Sequence, residues 1–126
     1  MSLQMVLVVD DEVQMRRVLN ASLSIHGYQV IEAESGEDGL NRLHAERCDL
    51  VLLDLNLPFM DGIATCRAIR AHSEVPIIVM SIRDSEEDKV AVSQAGADAY
   101  IKKPFGIEEL LLRISEVSRR KPEFRC

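Results

Sequence analysis

Four apolar runs in this chain are each followed at once by polar side chains that can bind ions or take part in catalysis. The most informative is Asp54, which follows residues 50–53. The other runs are 5–9 before Asp10 and Asp11, 77–80 before Ser81, and 99–101 before Lys102 and Lys103. If the runs are parallel strands of one sheet, carboxylates, a hydroxyl and an ammonium meet at its carboxyl edge, where open α/β sheets bind ligands. The pattern predicts a reactive site at that edge.

The three acids Asp10, Asp11 and Asp54 predict a metal site. The first and third strands of a doubly wound sheet are neighbours, so the acids would lie close together. A like-charge pair at roughly 4 Å costs about 4 kcal/mol at an effective dielectric constant of about 20, so the cluster needs a cation or raised pKa values. Oxygen ligands at a wet surface suit Mg²⁺. Asp10 or Asp11 alone could instead cap a helix, but Asp54 at the adjacent strand end favours the metal.

For the hydroxyl and for each of the two lysines, an ordinary structural role is possible as well as a functional role. Ser81 could donate a hydrogen bond to a phosphoryl oxygen, or it could be a simple strand-end hydroxyl. Lys103 precedes Pro104, which favours an extended backbone, and its ammonium could reach Asp54. Because side chains alternate along a strand, only one of Lys102 and Lys103 can face the site. Either lysine could also be a solvated charge.

Strand-like and helix-like segments alternate five times along the chain. This alternation predicts parallel strands joined by right-handed crossovers, with helices on both faces. The run 28–33 is less apolar than the others, so we expect it near a sheet edge. Ser35 with Asp38 resembles an N-capping box, and a fourth helix is predicted over about 85–95. The apolar helix stripes are Met15, Val18, Leu19 and Leu23; Leu40 and Leu43; Ile63, Cys66 and Ile69; and Ile107, Leu110, Leu111, Ile114 and Val117.

The composition is that of one globular domain. The 126 residues are 47% hydrophobic and 29% charged, with a net charge of −6, which argues against a nucleic-acid-binding surface on this chain itself. No stretch is long and apolar enough to span a membrane.

Three scattered cysteines predict no disulfide framework, and a reducing cytoplasm is the expected location. Cys48 and Cys66 are expected to be buried, and Cys126 to be an exposed thiol. The domain is predicted over 1–118, and the basic segment 119–126 is predicted to be a linker start or a frayed end.

Ordered motifs over about residues 5–118 resemble the receiver domain of bacterial two-component response regulators. The motifs are residues 8–12 (VVDDE), 53–58 (LDLNLP), 61–62 (DG), 76–81 (PIIVMS), 95–100 (AGADAY) and 103–105 (KPF). The resemblance implies an α/β fold, a doubly wound (βα)₅ flavodoxin-like sandwich. Its five-stranded parallel sheet would have the order 2-1-3-4-5.

The resemblance also implies a role for each matching residue. Asp54 would accept a phosphoryl group from a sensor histidine kinase. Asp10 and Asp11 would bind Mg²⁺ together with Asp54 and the backbone carbonyl of Asn56. Lys103 would bind the phosphoryl group. The remaining roles are Ser81 as the switch hydroxyl, Tyr100 as the switch aromatic, and Asn56 with Arg83 as residues that set the rate of dephosphorylation.

The resemblance extends to the output of the domain. Relatives with winged-helix DNA-binding domains dimerise, when active, through the face formed by the fourth helix, fifth strand and fifth helix. Charged residues stand in this region here: Lys89, Asp98, Glu109, Arg113 and Arg119. The pattern is incomplete, because Ala99 stands where those relatives usually have a second Asp. A phosphorylation-dependent homodimer that controls transcription through a DNA-binding domain absent from this chain is the expected output.

Three other functions are consistent with part of the pattern. A stand-alone receiver would act by protein–protein interaction. A small Mg²⁺-dependent phosphohydrolase would use Asp54 as a nucleophile, but Asn56 occupies the place of the general acid that haloacid-dehalogenase-like phosphatases need. A flavodoxin-like nucleotide binder would need a phosphate loop and stacking aromatics, and the chain has no Trp and only 4% aromatic residues.

Overall fold

The computed structural model describes residues 4–120 of the chain, in which five strands alternate with five helices. The strands are β1 (Met5–Val9), β2 (Gln29–Ala33), β3 (Leu50–Asp54), β4 (Ile77–Ser81) and β5 (Ala99–Lys102). The helices are α1 (Val13–Ile25), α2 (Gly36–Ala45), α3 (Gly62–His72), α4 (Glu86–Gln94) and α5 (Ile107–Arg120). The predicted βα alternation is confirmed.

The strands form one parallel sheet in the order β2-β1-β3-β4-β5. The predicted strand order is therefore confirmed, as is the edge position of the second strand. Val9 of β1 is in register with Leu53 of β3, and Asp54 is in register with Met80 of β4. This register places the carboxyl ends of the three central strands side by side.

Two apolar clusters, one on each face of the sheet, make the core. Alternate residues of β1 serve the two clusters: Leu7 and Val9 pack with residues of α2, α3 and α4, whereas Val6 and Val8 pack with residues of α1 and α5. Strands β3 and β4 are buried along their whole length. Burial on both faces explains why these strands read as continuous apolar runs rather than as alternating ones.

Side-chain caps begin three of the helices. The hydroxyls of Ser35 and Ser85 and the carboxylate of Asp61 each accept a hydrogen bond from a backbone N–H in the first helical turn. Helix α1 is different, because its N-cap is Glu12, whose side chain makes no capping bond. Neither Asp10 nor Asp11 occupies the N-cap position, so the capping alternative does not account for either acid.

Helix α3 starts against the backbone of β3, and only glycine fits at the contact. A Cβ atom on Gly62 would lie 2.6 Å from the carbonyl oxygen of Asp54 and 2.6 Å from the Cα atom of Leu55. The N–H of Gly62 also donates to the Leu55 carbonyl at 2.9 Å. The missing side chain therefore allows the loop after Asp54 to close tightly on itself.

Several sequence-based expectations differ from the structure in detail. Val18 belongs to the predicted apolar stripe of α1 but is 57% exposed. Cys66 is buried as expected, whereas Cys48 is only half-buried, in the connection between α2 and β3.

Helix α5 continues to Arg120, two residues past the predicted domain end. Residues 121–126, including Cys126, lie outside the described residues. None of the described helices has the length and apolar character needed to cross a bilayer.

Candidate functional site

The carboxylates of Asp10, Asp11 and Asp54 meet at the carboxyl edge of the sheet. One oxygen from each lies within 4.8 Å of the others. Asp10 is fully buried and Asp54 is 5% exposed, whereas Asp11 is open to solvent. Three hard oxygen donors at an accessible edge form a suitable donor set for a divalent cation that keeps part of its water shell.

Lys103 lies between two of these acids. Its Nζ atom is 3.1 Å from Asp10 Oδ2 and 3.3 Å from Asp54 Oδ1, and the lysine side chain is only 11% exposed. Lys102 points the other way and pairs with exposed Asp84 at 3.5 Å. Strand alternation therefore separates the two lysines as expected, with Lys103 on the side of the acids.

The clustered charges change the proton affinity of the site. Burial and the charge of Asp10 raise the pKa of Asp54 to about 6, although Lys103 acts in the opposite direction. Burial alone would lower the pKa of Lys103, but the two carboxylates outweigh burial and raise it. Asp54 is therefore largely ionised at neutral pH, and Lys103 remains a cation.

Ser81 ends β4 beside Asp54, and its hydroxyl is already engaged. The residue is fully buried, and its Oγ atom accepts a hydrogen bond of 2.9 Å from the backbone N–H of Arg83. The hydroxyl of Tyr100 donates to the backbone carbonyl of Arg83. The loop after β4 is thus tied through one residue, Arg83, to both Ser81 and Tyr100.

Asn56 and the Arg83 side chain lie at the outer rim of the site. Both residues are exposed. The backbone N–H of Asn56 makes a long 3.4 Å contact with Asp54 Oδ1. The Arg83 guanidinium is 3.8 Å from the Asp88 carboxylate in α4, so it extends along the helix.

The five charges expected on a dimer face have different surroundings. Asp98 is only 12% exposed, and it pairs with Arg70 of α3 at 3.0 Å while accepting from the Ile77 N–H at 2.8 Å. The other four residues make local contacts: Lys89 with Asp84 and Glu86, Glu109 with Arg113, Arg113 with Glu116, and Arg119 with Ser115. Asp98 thus joins α3 to the sheet, whereas the others lie on the surface.

Sequence patterns do not single out Arg16, although it contacts the site. Its guanidinium donates to the backbone carbonyl of Asp10 at 2.7 Å and pairs with Glu32 of β2 at 3.1 Å. Arg16 and Glu32 are sixteen positions apart, in two different elements. Only the packing of α1 beside β2 brings them together, so no spacing rule points to this pair.

Comparison with known proteins identifies the family. Residues 6–115 match the model of the response regulator receiver domain. The chain therefore belongs to the response-regulator receiver family, as the ordered motifs predicted. This is a regulatory family of two-component systems rather than a classical enzyme family.

Individual relatives agree with this assignment. The chain is 44% identical to the probable transcriptional regulator ycf27 of Guillardia theta over 115 residues, which are 91% of this chain and 45% of that protein. It is 42% identical to the response regulator ArlR of Staphylococcus aureus over 118 residues, 94% of this chain and 54% of that protein. The chain thus spans about half the length of these relatives. The chemotaxis protein CheY4 of Vibrio cholerae has the same fold, with a TM-score of 0.88 and 31% identity, covering 92% of this chain and 99% of CheY4.

Proposed function

We propose that this receiver domain is a phosphorylation switch in which Asp54 accepts a phosphoryl group from a sensor histidine kinase. The observation that carries the proposal is the juxtaposition of a buried carboxylate, a mostly buried ammonium and two further acids at one sheet edge. The receiver family to which the chain belongs acts with histidine kinases in two-component signalling. The details of the reaction follow from the residues of the site.

Asp54 is the nucleophile of the proposed reaction. Within the described residues, the hydrogen bonds to its carboxylate come from Lys103 and Asn56, and both reach Oδ1. Oδ2 therefore has the freer lone pairs. It would form the new O–P bond while the P–N bond of the kinase phosphohistidine breaks and its electron pair returns to the imidazole nitrogen. Lys103 would stabilise the negative charge on the phosphoryl oxygens during this transfer.

The acidic cluster is the proposed Mg²⁺ site. Asp10, Asp11 and Asp54 would hold the ion, with the backbone carbonyl of Asn56 as a further ligand. When bound, Mg²⁺ supplies positive charge that offsets the repulsion among the carboxylates and the phosphoryl oxygens. The donor set fits because all its members are hard oxygen ligands, and the exposure of Asp11 leaves room for water.

Ser81, Arg83 and Tyr100 would carry the signal away from Asp54. A phosphoryl group adds strong acceptor oxygens and negative charge next to the Ser81 hydroxyl. To bring its hydroxyl within donating distance of that group, Ser81 would move the Oγ atom that now accepts from the Arg83 N–H. Since Tyr100 bonds to the carbonyl of the same residue, the movement of this loop would change the face made by α4, β5 and α5. Asn56 and Arg83 would affect how fast water removes the phosphoryl group.

The proposed output is control of transcription. Relatives of about twice this length are named transcriptional regulators, which supports a DNA-binding domain following the receiver. Phosphorylation would promote a homodimer through the α4-β5-α5 face.

The alternative is a stand-alone receiver that acts by protein–protein contact. The almost complete coverage of CheY4 by this chain favours that alternative. Sizing the domain with and without beryllofluoride tests the dimer, and a monomer at high concentration in both samples would contradict it.

Mass spectrometry tests the central step. We expect wild-type protein incubated with Mg²⁺ and acetyl phosphate to gain the mass of one HPO₃ group. EDTA should prevent the gain, and Asp54→Asn should show none. The control is Asp61→Asn, because Asp61 is also a loop carboxylate, but it caps α3 and is not one of the clustered acids. Adduct formation on Asp54→Asn would mean that the acceptor is another residue.

A further inference from the structure

Arg16 connects the metal-binding loop to the edge of the sheet. Its Nη1 atom donates to the Asp10 carbonyl at 2.7 Å, and its Nε atom donates to Glu32 Oε1 at 3.1 Å. The second oxygen of Glu32 accepts from the Asn20 amide at 2.9 Å. The Arg16 side chain is only 14% exposed. A chain of contacts from Asn20 through Glu32 of β2 to Arg16 therefore ends at a single backbone carbonyl next to the acids.

The bonds to Asp10 show what this connection controls. The Asp10 N–H donates to the Ala33 carbonyl of β2 at 3.1 Å, and its Oδ1 atom accepts from the Glu12 N–H at 2.9 Å. Arg16 holds the remaining backbone group, the Asp10 carbonyl. That carbonyl belongs to the peptide plane between Asp10 and Asp11. The Arg16 bond therefore restricts the plane from which both carboxylates diverge.

The ion pair with Glu32 also has an electrostatic consequence. A lone guanidinium at this position would repel a divalent cation bound by the neighbouring carboxylates. Pairing with Glu32 cancels the charge of Arg16 while leaving its Nη1 atom free to donate to Asp10. The pair can therefore hold the loop without adding net positive charge beside the cation.

We infer that Arg16, held by Glu32 and Asn20, is a positioning residue that sets the cation affinity of the site through the Asp10–Asp11 peptide plane. The inference rests on the proposed function, in that it takes the acidic cluster to be the cation site. The inference extends the site to the edge strand β2, which carries none of the three clustered acids but takes part in metal binding through Glu32. Groups that orient metal ligands commonly change metal affinity by about 10- to 100-fold when they are removed.

Charge and geometry predict opposite effects for one substitution, which makes the inference testable. Arg16→Met removes a positive charge and uncovers the negative charge of Glu32, so a purely electrostatic role predicts tighter cation binding. A positioning role predicts weaker binding, because the Asp10–Asp11 plane loses its anchor. We expect titration calorimetry with Mg²⁺ alone to show about tenfold weaker binding to Arg16→Met than to wild type. Tighter or unchanged binding would overturn the inference.

Two further variants distinguish a loss of positioning from a general loss of folding. The double variant Arg16→Met with Glu32→Gln removes both charges, so its loss of Mg²⁺ affinity reports geometry alone, and we expect that loss to be at least as large as the loss in Arg16→Met. Arg16→Lys keeps a charged donor and should recover part of the affinity. Circular dichroism in EDTA checks that each variant is folded at the titration temperature. If binding by the folded double variant equals that of wild type, Arg16 has only a structural role.

The matched control is Arg113→Met. Arg113 also pairs with carboxylates, but those of Glu109 and Glu116 belong to its own helix, α5. We expect its Mg²⁺ affinity to equal that of wild type. The same titration separates the two proposals. If the wild type binds no Mg²⁺, the proposed function is contradicted. If the wild type and Arg16→Met bind Mg²⁺ equally well, only the positioning role of Arg16 is contradicted.

Discussion

Lys103 Nζ bridges the carboxylates of Asp10 and Asp54, at 3.1 Å and 3.3 Å, and serves as an internal counter-ion for the acidic cluster. A divalent cation bound to the same acids would lie near this ammonium and be repelled by it. The lysine that is proposed to stabilise the transferred phosphoryl group should therefore also weaken the binding of Mg²⁺. This opposition leads to the first prediction.

Lys103→Met should bind Mg²⁺ more tightly and accept phosphate more slowly. Removing the ammonium relieves its repulsion of the cation, and we expect the Mg²⁺ affinity to rise about tenfold, equivalent to about 1.4 kcal/mol. Phosphorylation by acetyl phosphate should slow by about 100-fold or more, because a charge that stabilises the transition state is lost. Titration calorimetry and timed mass spectra measure the two effects.

Lys102→Met is the matched control for this prediction. Lys102 is the neighbouring residue of β5, but its ammonium pairs with exposed Asp84 on the other side of the strand. Its loss should leave both Mg²⁺ binding and phosphorylation near the wild-type values. Weaker Mg²⁺ binding by Lys103→Met would show that the lysine assists the cation rather than opposing it.

Asp54→Asn should stabilise the domain at neutral pH in EDTA but not in acid. The pKa of Asp54 is about 6 in the folded protein against 3.8 in the unfolded chain, so between these values the folded state binds more protons. The free energy of unfolding of the wild type must therefore fall as pH rises through this window. At pH 7.5 we expect the variant to be more stable by about 1–2 kcal/mol, allowing for solvent screening.

Urea unfolding followed by circular dichroism at several pH values measures this difference. The stability gap should close as the pH falls toward 4, since Asp54 is then neutral in the folded wild type. Mg²⁺ should also narrow the gap at pH 7.5, because it stabilises the wild type by binding only the folded state. A gap that stays constant from pH 4 to 7.5 would show that burial of the Asp54 charge is not its cause.

Phe59→Gly should stabilise the domain. Phe59 has a φ of 64°, a left-handed conformation that is unfavourable for a bulky residue, and its side chain is 99% exposed. Replacement by glycine relieves the backbone strain and loses almost no packing, for a net gain of about 0.5–1 kcal/mol. Urea unfolding measures the change in the free energy of unfolding.

Ile82→Gly is a matched control for Phe59. Ile82 is also an exposed apolar loop residue, at 65%, but Phe59 is the only non-glycine residue with positive φ in the described part of the chain. Glycine at Ile82 should therefore destabilise the domain through the entropy of the unfolded chain. Equal effects at both positions would show that the φ angle of Phe59 stores no strain.

Asp98→Ala should destabilise the folded monomer, whatever its effect on dimerisation. Its carboxylate accepts from Arg70 and from the Ile77 N–H in a mostly buried position. Truncation leaves both donors without this partner, which costs about 2–4 kcal/mol in the free energy of unfolding. Glu109→Ala, at an exposed helical pair, should change stability by less than about 0.5 kcal/mol. Equal, small decreases in the free energy of urea unfolding for the two variants would show that Asp98 behaves as an ordinary surface charge.

In the sequence by itself, the alternation of strand-like and helix-like segments determined the fold class, and the resemblance carried by the ordered motifs added the strand order and the family. Strands buried on both faces must be apolar throughout, so β1, β3 and β4 are visible as runs of known length. Asp54 and Ser81 were predicted just past the strand ends and occupy the last strand positions, because backbone pairing continues through them: Asp54 is in register with Met80, and Ser81 with Lys102. Local chemistry sufficed to locate these strands and the polar residues at their ends.

Only the tertiary structure decided which of the possible contacts between elements are made. Lys103 and Asp10 are 93 positions apart, and no local pattern reports that their atoms are 3.1 Å apart. The Arg16–Glu32 pair and the Arg70–Asp98 pair likewise depend on how a helix packs against the sheet. Sequence periodicity reports the face on which a residue lies, because that is a property of one element. Contacts between elements depend on register and packing, which arise only when the whole chain has folded.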